Sequence, residues 1–276
     1  MKKQRGKTVL ITAGGTSEPI DNIRSITNTG TGTLGSIIAD VFAKDPQVEH
    51  ILYVHGRGAV LPNTEKAECI EAAYTKRLQD TIRALLSERG ADAIIHSMAV
   101  SDYCVKSVVK NEDLVKLVEE AKRICTDADT PKQTAYPFEE VSSVAADFSG
   151  ALLEASERFD LRDVYNKIPS SAGNPVIFLQ PTPKIIPELR QLAPQSVVVG
   201  FKLLDDVAQE ELFSVAKRLM EKNDCDFVLA NDYTTVKAGQ HTGYLMARGG
   251  GYETFVGKPA IAEGIYQAVK RAWEEK

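Results

Sequence analysis

The sequence contains few of the residues that build disulfide frameworks or metal centres. It has four cysteines and four histidines in 276 residues, and no two cysteines form a C-x-x-C pair. The histidines form neither a close pair nor an H-E-x-x-H motif. Scattered cysteines are typical of reduced thiols, since zinc sites and disulfide-rich domains need characteristic ligand spacings. We therefore expect a cytoplasmic protein without a metal site built from its own side chains.

Long apolar runs and a surplus of positive charge are also absent. No apolar run approaches the roughly 18 residues that suggest a membrane span, and the formal net charge is -5. Non-specific nucleic-acid binding needs an excess of lysine and arginine. We therefore expect neither a membrane nor a nucleic acid as partner. Hydrophobic residues make up 43% and charged residues 26%, as in an ordinary globular protein.

Short apolar segments alternate with amphipathic ones. TVLITA, HILYVHG and ADAIIHSMAV predict buried strands, whereas LGSIIADVFAK and CIEAAYTKRLQDTIRALLSERG have helical spacing. PVIFL, SVVVGF and DFVLAND predict further strands, and HTGYLMARGGGYETFVG predicts a β-hairpin before a C-terminal helix. This alternation predicts an α/β fold, a Rossmann-like parallel sheet with helices on both faces. We expect residues 1–276 to form one domain, with 106–164 as a helical or irregular insertion or flap without a strong strand.

The segment NTGTGTLG, residues 28–35, contains a G-x-G-x-x-G pattern. In dinucleotide-binding folds the first glycine makes the turn out of strand one, but here that strand ends near Ala13, long before Gly30. The second predicted strand also ends without the Asp or Glu that binds a ribose. Arg57 at that end leaves an NADP-dependent oxidoreductase as one alternative. Bare amides and hydroxyls before a helix favour a phosphate site over a flexible loop without a ligand.

An ordered series of motifs resembles one enzyme family. The chain carries VLITAGGTSEPID, ITNTGTGTLG, MAVSDY, KIPSS, LQPTPKII, VVGFKLL and FVLANDYT in this order. They are similar to the motifs of phosphopantothenate–cysteine ligase, also called phosphopantothenoylcysteine synthetase. The absence of a fused decarboxylase half points to the stand-alone bacterial form. Gly30 and Thr31 depart from the family's paired serines, and Gln180 and Pro181 depart from its L-x-K-T-P-K motif.

The resemblance implies ligation of 4′-phosphopantothenate to L-cysteine in coenzyme A synthesis. The substrate carboxylate would attack the α-phosphate of a nucleoside triphosphate bound with Mg²⁺, with CTP favoured over ATP. The cysteine amine would then displace the nucleoside monophosphate from the acyl-nucleotidylate. Both steps build negative charge, which preorganised donors and cations stabilise. The resemblance also implies a homodimer. A non-catalytic nucleotide-binding protein on the same fold is the second alternative.

The resemblance gives roles to individual residues. Asn28 is predicted to hold the substrate carboxylate through its amide donors, the alternative being a turn-forming asparagine. Lys167 is predicted to stabilise the activation step from a flap, the alternative being a solvated lysine. For Phe201 the alternative to stacking on the base is a core position. The predicted phosphopantothenate-binding residues are Thr29, Gly30, Thr31 and Gly32. The predicted nucleotide-binding residues are Gly14, Gly15, Thr16, Ala99, Ser101, Asp102, Phe201, Lys202, Asn231 and Asp232. His241 matches a recurrent histidine of the stand-alone form, without an assigned role.

Overall fold

The computed structural model describes residues 6–126, 143–237 and 239–275. Within them the chain forms two compact units, each with its own sheet and apolar core. Unit 1 contains the described parts of Met1–Ser17, Thr27–Ser101 and Pro183–Lys276. Unit 2 contains the described parts of Glu18–Ile26 and Asp102–Thr182.

The secondary structure of the described residues alternates between strands and helices. The strands are β1 (Lys7–Ala13), β2 (Ser17–Pro19), β3 (Ser25–Thr27), β4 (Val48–His55), β5 (Ala67–Glu71), β6 (Ala93–His96), β7 (Tyr103–Lys110), β8 (Pro175–Pro181), β9 (Val197–Leu204), β10 (Phe227–Asp232), β11 (Thr242–Ala247) and β12 (Tyr252–Val256). The α-helices are α1 (Thr33–Ala43), α2 (Thr75–Glu88), α3 (Leu114–Thr126), α4 (Ser143–Glu157), α5 (Ile186–Leu192), α6 (Gln209–Asn223), α7 (Tyr233–Lys237) and α8 (Lys258–Glu274). None of the described helices is long and apolar enough to cross a membrane.

The main sheet of unit 1 has eight strands. Six of them run parallel in the order β5-β4-β1-β6-β9-β10, and the hairpin of β11 and β12 continues the sheet antiparallel to β10. This is the strand order of the doubly wound fold, in which ligands bind at the carboxyl ends of the strands where the order reverses. Here the reversal lies between β1 and β6. The predicted Rossmann-like sheet and C-terminal hairpin are confirmed.

Helices cover both faces of the main sheet. Val9 and Ile11 of β1 pack into a core with side chains of α1 and α8, whereas Leu10 packs into a second core with side chains of α2 and α6. All three side chains are fully buried. A strand that is buried on both faces is apolar at successive positions, which explains why TVLITA is recognisable in the sequence.

Two sequence predictions about elements were wrong, the long helix from Cys69 and the lack of a strand within 106–164. The single long helix predicted from Cys69 begins as the edge strand β5, and α2 starts only at Thr75. PVIFL does form a strand, but β8 pairs antiparallel with β7 in unit 2 and does not join the main sheet. β7 also places a strand inside the segment 106–164. A register shift between Val105 and Ser107 breaks its two-residue alternation, which hid the strand in the sequence.

Unit 2 packs helices against the β7–β8 ribbon. Side chains of α3 and α4 form one apolar cluster with Val109, and Val105 and Val108 contribute to a second cluster with Leu161 and Ile168. The predicted helix FEEVSSVAADFSGALLEASERF is helical from Ser143, and its first residues lie outside the described residues. The predicted insertion falls within unit 2, and the single domain over 1–276 stays a prediction.

Candidate active site

Three loops of unit 1 meet at the carboxyl ends of β1 and β6. The Ala99 N–H donates to the Gly14 carbonyl (2.9 Å), and the Thr16 N–H donates to the Ala99 carbonyl (3.0 Å). These bonds continue the parallel pairing of the two strands beyond their ends, with a bridge between Gly15 and Ala99. The two loops are therefore fixed at the switch point, where this architecture binds ligands.

Asn28 is anchored to both loops. Its backbone N–H donates to the Thr16 carbonyl (3.0 Å), and its side-chain Nδ2 donates to the Ala99 carbonyl (3.1 Å) and to Ser101 Oγ (3.3 Å). A carbonyl only accepts, so the Ala99 bond fixes which way the amide faces. Both amide donors are thus engaged, and binding of a substrate carboxylate by Nδ2 requires exchange of the longer Ser101 bond.

Thr16 supports Asn28 from behind. Its side chain is fully buried, and its Oγ1 donates to Ser101 Oγ (2.9 Å) while it accepts from the Ser101 N–H (2.8 Å). The Thr75 hydroxyl, from the first turn of α2, lies 3.5 Å from the same oxygen. The sequence suggested Thr16 as a nucleotide ligand. That role stays a prediction, and the structure shows its hydroxyl engaged within the protein, where it orients Ser101 and through it Asn28.

Glycines let the three loops approach one another. A Cβ on Gly15 would lie 2.2 Å from the Asn28 carbonyl oxygen, and a Cβ on Gly30 would lie 2.6 Å from the Gly14 carbonyl oxygen. A Cβ on Gly56, after β4, would lie 2.1 Å from the Gly15 carbonyl oxygen. The glycines of the NTGTGTLG segment thus serve loop packing. Gly56 was missed, although a glycine directly after a strand is a signal of close backbone approach.

The half-buried N-terminus of α1 follows an exposed Gly/Thr loop. Gly32 precedes the helix with a φ of 74° and has no side chain to cap it, and the Thr33 N–H donates to Thr31 Oγ1 (3.4 Å). Thr29, Gly30 and Thr31 are exposed, and the Thr31 and Thr33 hydroxyls bond to each other at 2.9 Å. The positive end of the helix dipole favours an anion at this point.

The remaining predicted residues of unit 1 lie on β9 and β10. Phe201 packs against the core formed with α1 and α8, and Lys202 is half-buried beside it. Asn231 is buried at the carboxyl end of β10. Asp232 accepts hydrogen bonds from the Thr234 side chain and N–H and from two further backbone amides, which lower its pKa to about 2. Their contacts with a nucleotide stay predictions.

Asp102 and Lys167 belong to unit 2, and both are exposed. The Asp102 carbonyl accepts from the Thr182 N–H (3.0 Å), which ties the start of β7 to the end of β8. Their predicted roles stay predictions. Within residues 6–126, 143–237 and 239–275, no three His, Cys, Asp or Glu side chains cluster as metal ligands.

His96 is a buried residue beneath the site that sequence reasoning did not single out for a role. Its Nδ1 lies 2.9 Å from Thr12 Oγ1, and the same oxygen accepts from the Met98 N–H (3.3 Å). Burial lowers the pKa of His96 to about 4, so its imidazole is neutral near pH 7. His96 therefore helps to fix the loop that carries Ala99.

The sequence matches a family model over most of its length. The model is described as the DNA/pantothenate metabolism flavoprotein C-terminal domain, DFP, and the match covers residues 4–124 and 160–272. The chain belongs to this family. The DFP match skips residues 125–159, which fall inside the segment 106–164 that the sequence set apart. The family resemblance drawn from the motifs is thereby confirmed.

Two archaeal proteins are similar to this DFP chain. Both are named coenzyme A biosynthesis bifunctional protein CoaBC. The Thermococcus kodakarensis protein is 27% identical over 238 residues, which are 86% of this chain and 43% of that protein. The Methanocaldococcus jannaschii protein is 24% identical over 271 residues, which are 98% of this chain and 52% of that protein. The chain thus spans about half the length of the curated relatives it matches.

Solved structures share the DFP fold. The crystal structure of the DNA/pantothenate metabolism flavoprotein from Streptococcus pneumoniae has a TM-score of 0.75 and 28% identity, covering 97% of this chain and 100% of that chain. A Cab2 mutant in complex with phosphopantothenate-cysteine has a TM-score of 0.62 and 15% identity, covering 99% of this chain and 90% of that chain. The second likeness bears on the fold alone.

Proposed function

We propose that this protein is a phosphopantothenate–cysteine ligase of coenzyme A biosynthesis. The observation that carries the proposal is Asn28, held by Ala99 and Ser101 at the switch point of a DFP-family sheet. Two relatives named as coenzyme A biosynthesis proteins support the choice of pathway.

The proposed reaction has two steps. A carboxylate oxygen of 4′-phosphopantothenate attacks the α-phosphorus of CTP, and pyrophosphate leaves with the electrons of the broken P–O bond. The cysteine amine then attacks the acyl carbon of the acyl-cytidylate and loses a proton, and CMP leaves. Negative charge develops in both steps, so fixed donors accelerate them more than a nucleophilic side chain would.

The loops of unit 1 fit an anionic substrate. The N-terminus of α1 offers the positive end of its dipole to a phosphate, next to the exposed residues Thr29, Gly30 and Thr31. In the proposal Asn28 exchanges its Ser101 bond for the substrate carboxylate and keeps its Ala99 bond, which holds the amide in place. The side-chain amide of Asn28 is neutral, so it binds the carboxylate without forming a tight ion pair.

Mg²⁺ enters with the triphosphate in this proposal. The described residues offer no three-ligand cluster, and both carboxylate oxygens of Asp232 already accept protein hydrogen bonds. Magnesium commonly keeps waters and binds through substrate phosphates, which suits such a site. Lys167 is proposed to stabilise the charge that develops in the first step, and the protein is proposed to act as a homodimer.

One incubation tests the proposal. The protein is mixed with 4′-phosphopantothenate, L-cysteine, Mg²⁺ and either CTP or ATP, and the products are identified by mass spectrometry. We expect phosphopantothenoylcysteine together with CMP and pyrophosphate, with CTP preferred. In a parallel incubation with added NADPH, oxidation of NADPH without amide product would favour the oxidoreductase instead. Light scattering at micromolar concentration tests the dimer, and the mass of a single chain would contradict it.

A further inference from the structure

Asp21 occupies the centre of the short excursion that residues 18–26 make in unit 2. Its side chain is 0% exposed, and its two oxygens accept five hydrogen bonds from three residues. Oδ1 accepts from the N–H groups of Ile23 (2.9 Å) and Arg24 (2.8 Å). Oδ2 accepts from Nε and Nη2 of Arg24 and from the Ile168 N–H (3.1 Å).

Residues 21–24 hold the backbone on both sides of Lys167 by hydrogen bonds. Ahead of it, the Asn22 N–H donates to the Asn166 carbonyl (3.1 Å). After it, the Ile168 N–H donates to Asp21, and the Ile168 carbonyl accepts from Arg24 Nη2 (2.8 Å). Both peptide groups that flank the lysine are therefore bonded to residues 21–24, while the lysine side chain itself stays exposed.

Apolar packing fixes the same segment from below. Ile168 is 4% exposed and packs with Val105, Val108 and Leu161, and Ile20 from the excursion packs against this cluster. One residue of the segment is thus buried while its neighbour Lys167 projects to solvent. The excursion ends at Ile26, two residues before Asn28, so the chain that carries the anchored asparagine also carries Asp21.

We propose that Asp21 is a positioning residue that acts through Lys167, with Arg24 as its partner in holding the lysine-bearing segment. The inference rests on the proposed catalytic function of Lys167. Hydrogen bonds from Arg24 and nearby amides hold the pKa of Asp21 well below its usual range, so it is ionised near neutral pH. Hydrogen bonds to a charged acceptor are stronger than those to a neutral one, so an ionised Asp21 restricts the movement of the segment that carries Lys167.

Asp21→Asn keeps the volume of the side chain but not its bonding. In the unmodified protein both Asp21 oxygens accept hydrogen bonds from N–H groups. An asparagine would place its NH₂ group, which only donates, against some of these N–H groups, and those hydrogen bonds would be lost. We expect faster amide exchange in a peptide that covers residues 160–172. We also expect single-turnover acyl-nucleotidylate formation to fall about tenfold or more, since misplacement by about 1 Å can cost a hundredfold. CTP affinity should change less than about threefold, because the flap acts mainly on the transition state.

Unit 2 provides a matched control. Asp160 is also buried, pairs with Arg162, and accepts from the Val108 and Arg162 N–H groups. It does not bond to a peptide group next to Lys167. Asp160→Asn should therefore lower stability without the selective loss in the nucleotide step, and an equal loss in both variants would overturn the proposal.

A double variant separates positioning from general support. If Asp21 acts through Lys167, then adding Asp21→Asn to Lys167→Gln should slow the first step little beyond Lys167→Gln alone. Independent, multiplying losses would overturn the proposal. If Lys167→Gln itself leaves the first step unchanged, the proposed function of Lys167 fails, whereas amide exchange still tests the contacts of Asp21.

Arg24→Lys is a second test that remains available if Asp21→Asn does not fold. Arg24 is 49% exposed, so this change is mild, but a lysine cannot bond both Asp21 and the Ile168 carbonyl with a planar fork. We expect an intermediate loss in the nucleotide step with faster exchange of the 160–172 peptide. Exchange and rate identical to those of the unmodified protein would overturn the proposal.

Discussion

Replacement of Gly15 by alanine perturbs the point where the three loops of the candidate site touch. A Cβ at this position would lie 2.2 Å from the Asn28 carbonyl oxygen and 3.0 Å from its carbonyl carbon. Gly15 does not have a left-handed backbone, unlike Gly14 with a φ of 86°. The effect of the change therefore arises from contact with the Asn28 backbone and not from a strained φ.

The size of the effect follows from this overlap. Real Cβ contacts essentially never fall below 3.0 Å, so the Asn28 carbonyl has to retreat by roughly 0.8 Å, and overpacking of this kind costs about 1–3 kcal/mol. The Asn28 N–H and side chain, which bond Thr16, Ala99 and Ser101, move with it. A displacement of about 1 Å at a reacting centre can lower the rate on the order of a hundredfold.

The assay combines turnover with stability. Nucleotide-dependent pyrophosphate release gives kcat, and urea unfolding gives the free energy of unfolding. Gly249→Ala is the matched control, since a Cβ there meets no heavy atom within 4 Å and the backbone is not left-handed. We expect Gly249→Ala to behave as the unmodified protein and Gly15→Ala to lose about a hundredfold in kcat.

A kcat for Gly15→Ala within about threefold of the unmodified protein would refute the reasoning. It would mean either that the loop carrying Asn28 absorbs the shift or that its position does not control the reaction. A stability loss without a rate loss would leave the packing argument intact and remove Asn28 from the catalytic account.

Three further variants probe the account. Asn28→Asp places a carboxylate oxygen where Nδ2 lies 3.1 Å from the Ala99 carbonyl, so we expect a folded protein that makes no amide product, and turnover within about threefold of the unmodified protein would contradict this. Lys167→Gln should slow acyl-cytidylate formation about a hundredfold while calorimetry shows near-normal CTP binding, and a loss confined to the cysteine step would move Lys167 to the second half-reaction. His96 has a folded pKa of about 4 against an ordinary value of 6.5, so its contribution to stability is full above pH about 6.5 and falls as the pH drops toward 4. Between pH 7.5 and 5 the free energy of unfolding, measured with urea, should fall by roughly 2 kcal/mol more in the unmodified protein than in His96→Gln. An equal pH dependence of the two proteins would contradict the conclusion that burial keeps His96 neutral.

The parts of the fold that depend on local pattern could be predicted from the sequence. TVLITA is apolar at successive positions because both faces of β1 are covered, and the glycine-rich hairpin is equally distinct. β5 was missed because an edge strand with one partner needs few apolar residues, so the helical pattern of α2 seemed to extend through it. β7 was missed because its bulge breaks the alternation.

The candidate site likewise has features that the sequence motifs predicted and features that they did not. The motifs located Asn28 and its partner Ala99, because both follow recognisable strands or precede a helix. They did not reveal that the hydroxyl of Thr16 is turned into the protein, nor that Asp21 bonds to Ile168, 147 residues later in the chain. Such contacts depend on which segments the fold brings together, and this information is not periodic along the chain.

The most direct test of the proposed reaction follows the oxygen atoms of the substrate carboxylate. 4′-Phosphopantothenate labelled with ¹⁸O in that carboxylate is converted with CTP and cysteine, and the phosphorus-containing products are analysed by mass spectrometry. Attack on the α-phosphorus leaves one carboxylate oxygen on the nucleotide, so the account predicts one ¹⁸O in each CMP and none in pyrophosphate. Label in orthophosphate, or amide product with unlabelled CMP, would contradict the acyl-cytidylate route.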